Sequence, residues 1–151
     1  MYEILLKSHN GLRWIVLVLL LTAIAKAYSG KSGGKTYADD KKWMLFALIS
    51  LHLQLIIGFL LYFQSPTVEI AMSDMAASMK SSALRFWAVE HITGMVIAIV
   101  IGTIGYSRAK RSADNAVAYK RVFWGYLLAL IIIFLTIPWP FRAEGIARPW
   151  F

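Results

Sequence analysis

The chain reads as all-α: a transmembrane four-helix up-down bundle with a short amphipathic helix on its outer surface. Three observations carry that reading. Hydrophobic residues make up 59% of the 151 residues, and mean hydropathy is +0.61, both above what a soluble domain of this size shows. The excess is gathered into four runs, at about 8–28, 43–64, 84–106 and 121–139, each near the roughly 20 residues that cross a bilayer as a helix. The connections are short, so the chain, 1–151, forms a single integral membrane domain.

The first run starts among Glu3, Lys7, His9 and Arg13 and ends in Ala25-Lys26-Ala27. That triplet after an apolar core looks like a signal-peptide cleavage site, but the charges at the start fit a retained helix better. The first connection, Ser29-Gly30-Lys31-Ser32-Gly33-Gly34-Lys35-Thr36, is flexible by composition. It lacks P-loop spacing and follows no strand, so it is not a phosphate loop. Interfacial aromatics bracket the later runs: Trp43 and Tyr62, Phe86 with Trp87 and Tyr106, then Trp124 and Trp139. After Ser65-Pro66, the residues Val68, Met72, Met75 and Met79 recur at helical spacing. They predict the surface helix, with its apolar stripe on lipid or on the bundle. Packing explains these methionines better than Cu(I) ligation does. Pro138-Trp139-Pro140 ends the fourth helix, because proline has no amide donor and clashes with a continuing turn.

Charge sets the orientation. Ten of the sixteen Lys and Arg residues lie at the first and third connections: Lys26, Lys31, Lys35, Lys41, Lys42, Arg108, Lys110, Arg111, Lys120 and Arg121. The others are Lys7, Arg13, Lys80, Arg85, Arg142 and Arg148. The positive-inside rule then expects both termini outside. Basic residues flanking apolar helices anchor to the lipid bilayer, so the net charge of +8 does not point to nucleic acid. The absence of cysteine excludes disulfides, thiolate metal sites, iron–sulfur clusters and Cys-attached haem.

Ionisable groups are costly in hydrocarbon and mark cofactor, ion or proton sites. His9, Arg13, His52, Glu90 and His91 are the candidates. Counting a rise of 1.5 Å per residue from the aromatic markers puts His9 near the outer boundary. His91 falls about 6 Å inside it, and His52 about 13 Å from Trp43, near mid-membrane. His9 and Arg13, four apart, share a helix face. Below His91, a stripe of Gly94, Ala98, Gly102 and Gly105 lets a helix or a flat cofactor come close. On the second helix Ser50, Gln54 and Gly58 form one stripe, while His52 projects from nearly the opposite side.

Imidazoles are common axial ligands of haem iron, and helical bundles build such sites from facing helices. Equal depth favours His9 with His91 as the pair; His52 with His91 replaces it if the first helix starts lower. Arg13, or Lys7 or Arg85, would meet a propionate, and Glu90 or His52 would handle protons, His52 alternatively bonding a quinone carbonyl. Two further readings stay open. One is a zinc or copper site from His9, His91 and Glu90. The other is a cofactor-free accessory subunit of a multi-protein membrane complex, with polar contacts such as an Arg13–Glu90 ion pair specifying helix pairing. No Ser–His–Asp arrangement or His-Glu-x-x-His motif supports a hydrolase.

The segments His9-Asn10-Gly11-Leu12-Arg13-Trp14, Arg85-Phe86-Trp87-Ala88-Val89-Glu90-His91 and Pro138-Trp139-Pro140-Phe141-Arg142 resemble a family of small bacterial four-helix membrane proteins labelled cytochrome b-like. The resemblance covers nearly the whole chain and implies haem binding. Respiratory-complex cytochrome b differs, with two histidines on each of two helices, and haem A synthase has twice as many helices with paired histidines. No helix here carries two histidines, so one bis-histidine haem b is the most the chain holds alone. The expected function is one-electron transfer near the outer leaflet, to or from quinone or a larger respiratory assembly.

Overall fold

A computed structural model describes residues 1–142; Arg148, counted above, lies outside the described residues. In chain order the helices are α1 (Tyr2–Ser32), α2 (Tyr37–Gln64), α3 (Pro66–Ser73), α4 (Met75–Ser78), α5 (Ser82–Lys110) and α6 (Asn115–Thr136). Four of them, α1, α2, α5 and α6, are long and apolar enough to cross a membrane, and the chain is a multi-pass membrane protein. Polar side chains start the later helices: Ser65 caps α3, Asp74 caps α4, Ser81 caps α5 and Asp114 caps α6, each accepting an amide of the first turn.

The long helices form an antiparallel four-helix bundle. α1 packs on α2 and α6; α5 packs tightly on α6 and more loosely on α2, so α1 and α5 face each other across a diagonal. Small residues set the close crossings. A Cβ on Gly105 would lie 2.8 Å from the Cα of Gly125, backbone against backbone. Leu20, Ala23, Ala27, Met44, Ala47, Ala98 and Ala129 are fully buried along the axis, while Ile15, Val18, Leu21, Phe46, Ile49, Ile56, Phe134 and Leu135 point outward. An apolar exterior of this extent is what lipid, rather than water, would cover.

The end bearing the two basic connections is more ordered than its composition suggests. Helix α1 continues through Ser32 and α2 begins at Tyr37, leaving Gly33 to Thr36 as the turn, with Gly34 at φ +64. That conformation favours glycine. Gly30, expected in a flexible loop, is helical because the Tyr119 ring lies on it: a Cβ there would come within 2.3 Å of the ring. The Tyr119 hydroxyl shares its one proton between Asp40 (3.1 Å) and the Thr36 carbonyl (3.0 Å). Lys26 completes the pairing of Asp40 at 3.1 Å. The Tyr37 amide donates to Asn115, and the Tyr126 hydroxyl to the Met44 carbonyl. These bonds lock the register of α1, α2 and α6 at this end, and thereby the heights at which side chains meet at the other.

The surface segment differs from the expected single stripe. Asp74 breaks it into α3 and α4, and Val68, Ala71 and Ser78 are the residues buried on the bundle. Met72 and Met79 point away, 50% and 42% exposed. The four predicted positions therefore do not share one face.

Candidate functional site

At the end of the bundle opposite the basic turns, α1 and α5 bring two imidazoles together. The rings of His9 and His91 have centroids 6.5 Å apart and planes at 73°. What turns His91 inward is a widened π turn over Phe86–Glu90 at the start of α5. Such a turn holds an extra residue and often marks a functional site. It also upsets helical phase. Arg85 and Glu90, five apart, would sit about 140° apart around an α-helix, yet the Arg85 Nε lies 2.6 Å from Glu90 Oε1. The Tyr62 hydroxyl on α2 donates to the Ala88 carbonyl within the widened turn at 2.8 Å.

The pairing of Glu90 is thus with Arg85, which also donates to the Met79 carbonyl at 3.0 Å, and not with Arg13. Both partners are over a third exposed. Glu90 faces out while its neighbour His91 faces in. His52 is also outside the site: it lies exposed on α2, its Nδ1 2.9 Å from the carbonyl of Leu48 on its own helix. Of the five predicted residues, His9, Arg13 and His91 line one chamber, whereas His52 and Glu90 do not.

The orientation of His91 is fixed on three sides. Phe86 and Trp87 pack at centroid distances of 5.8 Å each. Its Nδ1 is 2.8 Å from the carbonyl of Thr136, the last residue of α6. A carbonyl only accepts, so Nδ1 donates and the lone pair of the neutral ring resides on Nε2. Ligating histidines are held in this way. Gly94, one turn further along α5, makes room for Thr136: a Cβ there would lie 2.4 Å from the Thr136 methyl. Gly94 and Gly105 of the predicted stripe therefore serve contact with α6, not with a flat cofactor.

His9 is seated against Gly58 of α2, where a Cβ would lie 3.2 Å from the imidazole Cε1. Its Nδ1 is buried and without a partner. Gln54, one turn before Gly58, donates to the backbone carbonyl of His9 at 2.9 Å and leaves its own Oε1 buried and unpartnered. The Arg13 guanidinium sits 5.2 Å over the Trp14 ring, and Trp14 in turn packs on Trp139. Thr136, Tyr62 and the π turn carried no signal in periodicity. The one available cue is Pro140, four residues after Thr136, which removes the amide that carbonyl would otherwise receive.

Two imidazoles bound to opposite sides of one metal ion at about 2 Å each, with a ring radius near 1.2 Å, have centroids about 6.4 Å apart. The observed 6.5 Å is compatible with that spacing as well as with ordinary edge-to-face ring contact, and the Thr136 bond to His91 and the Gly58 seat of His9 orient the two rings. The chamber has a volume of about 140 Å³, close to that of a cavity that holds one small aromatic ring. A macrocycle therefore needs side chains at the looser α2–α5 seam, where Leu55, Phe59, Ile92 and Met95 line the chamber, to turn outward. Among the described residues no three His, Asp or Glu side chains gather as a metal-holding group, and Glu90 does not join His9 and His91. No family model, curated protein or solved structure matches the chain.

Proposed function

We propose that the chain binds one b-type haem between His9 and His91 and passes single electrons within a bacterial cytoplasmic membrane, exchanging them with quinone or with a larger respiratory assembly. The observation that carries this reading is the approach of two imidazoles from diagonally opposed helices to a centroid distance of 6.5 Å. The haem would supply a one-electron redox centre. The chain's own residues would do the rest. Thr136 aims His91, Gly58 seats His9, and the Arg13 guanidinium offers a charged partner to a propionate. A haem held by both His9 and His91 would be suited to electron transfer over oxygen chemistry. Apolar walls such as Leu55, Met95 and Ile99 keep water from the centre. With both termini outside, as the charge bias favours, the centre would lie near the outer leaflet.

The test is a reduced-minus-oxidised visible spectrum of the purified protein. A b-type band is expected in the parent and in His52→Leu, and is lost in His9→Ala and His91→Ala. A folded, colourless parent purified from haem-replete cells rejects the reading. A second reading, an accessory subunit without cofactor, is favoured by one observation: His52 is exposed on α2 among Ile49, Leu53 and Ile56, where lipid offers an imidazole no partner. It predicts a colourless protein that runs at the size of a larger assembly in mild detergent and loses that size in His52→Leu.

A further inference from the structure

The carbonyls of the last turn of α6 are satisfied in an unusual order. Ile133 receives the amide of Ile137 in the ordinary helical way, at 2.9 Å. Phe134 would receive the amide of residue 138, but that residue is proline, and the Trp139 indole N–H takes the place at 2.9 Å. Leu135 would receive the amide of Trp139, which instead donates to the Ile137 carbonyl; the Arg142 guanidinium serves Leu135 at 2.6 Å. Thr136 would receive the amide of residue 140, again proline, and His91 Nδ1 fills the vacancy at 2.8 Å. Pro138 also forces its predecessor out of the helix, and Ile137 is extended at ψ 133.

We propose that the Pro138-Trp139-Pro140 turn is a positioning device: by withholding the backbone amide that would cap Thr136, it reserves that carbonyl for His91 and fixes which imidazole nitrogen is offered to the chamber. Thr136 and Pro140 act through His91 and are positioning residues. The Arg142 guanidinium, 5.6 Å over the Phe86 ring, ties the turn to the widened start of α5 from which His91 projects. The consequence is chemical. With Nδ1 engaged as donor, Nε2 offers a lone pair, which suits an acceptor of electron pairs such as a metal centre. The meaning of that free nitrogen rests on the haem reading; the tautomer itself does not.

The experiment is nitrogen NMR on histidine-labelled protein in lipid nanodiscs, prepared without haem, with the His91 signals assigned by their loss in His91→Asn. The parent should show His91 protonated on Nδ1. Pro138→Ala alone should keep that signature, since residue 140 still brings no amide. Pro138→Ala with Pro140→Ala lets the helix run on, caps Thr136 from its own backbone, and should lose the Nδ1–H signature. In haem-loaded protein the same double variant should weaken cofactor retention about 10- to 100-fold, the usual effect of removing a ligand's orienting partner. An Nε2-protonated parent, or a double variant with the parent's spectrum, overturns the proposal. If the double variant does not fold, His91→Asn and His91→Gln decide. The Asn amide stands where Nδ1 does and should keep parent thermal stability, whereas Gln should lose it; equal losses overturn the proposal. A colourless parent with Nδ1–H His91 removes haem and leaves the device standing, while a haem protein indifferent to the double variant does the reverse.

Discussion

Gly94→Ala probes the contact on which the site's geometry depends. The new Cβ would lie 2.4 Å from the Thr136 methyl, 3.1 Å from its Cβ and 3.3 Å from its Oγ1. Carbon atoms prefer about 3.5–4.0 Å, so the methyl must retreat by about 1 Å or more. Rotation is resisted because the Thr136 hydroxyl donates to the Ile132 carbonyl at 2.8 Å, a bond with a net value of about 1 kcal/mol. Overpacking of this kind destabilises by about 1–3 kcal/mol. The helix preference of alanine over glycine, up to about 1 kcal/mol in water, offsets little here, because membrane helices are already formed before they pack. A net loss of about 1–2 kcal/mol follows. Thr136→Ser removes the clashing methyl and keeps the hydroxyl, so Gly94→Ala in that background should have a much smaller effect. The four proteins form a double-mutant cycle, read by equilibrium unfolding with SDS in mixed micelles, with an expected coupling of about 1–2 kcal/mol. An equal penalty in both backgrounds would refute the α5–α6 contact drawn here, and with it the support of His91.

Three other outcomes follow from the same contacts. Gly105→Ala meets the Cα of Gly125, which no rotamer change relieves; the same unfolding titration should show a loss of about 1–3 kcal/mol, while Gly11→Ala, with open space around it, should be near neutral. Tyr119→Phe removes a donor from the buried Asp40 carboxylate and should destabilise by about 1.5–3 kcal/mol, whereas Tyr28→Phe, at an exposed ring, should not. Glu90→Ala breaks an exposed ion pair and should shift stability by no more than about 1 kcal/mol and, on the proposed haem reading, leave the parent's visible spectrum unchanged; a lost spectrum would place Glu90 in the site after all.

The helices were legible because hydrophobic run length is a bulk property that tertiary contacts do not alter. Their ends at the basic turns were less so. Gly30 and Lys31 read as loop by composition, and only the Tyr119 ring, brought from α6, explains why the helix passes through them. The surface segment failed for a related reason. Spacing of Val68, Met72, Met75 and Met79 presumes one continuous helix, but the cap that Asp74 gives to Ala77 at 3.0 Å starts a new one, and phase is lost across the break.

At the site, depth and face arithmetic sufficed to pair His9 with His91, because both rest only on rise and angle per residue within nearly regular helices. Glu90 was a candidate only as an ionisable chain neighbour of His91, and its ion pair is with Arg85. One extra residue in the turn Phe86–Glu90 shifts the residues before the turn by about 100° relative to those after it, which brings Arg85 beside Glu90. Nothing local announces that shift, since the turn is supported from outside itself, by the Tyr62 hydroxyl on α2 and by the packing of α3 on it. The Thr136 carbonyl was hidden for the opposite reason. Its availability was written locally, in a proline four residues on, but a freed backbone acceptor names no partner until α5 and α6 are packed at Gly94 and Gly105. Two imidazoles can therefore be predicted to meet from the sequence, while the nitrogen each presents is decided by packing.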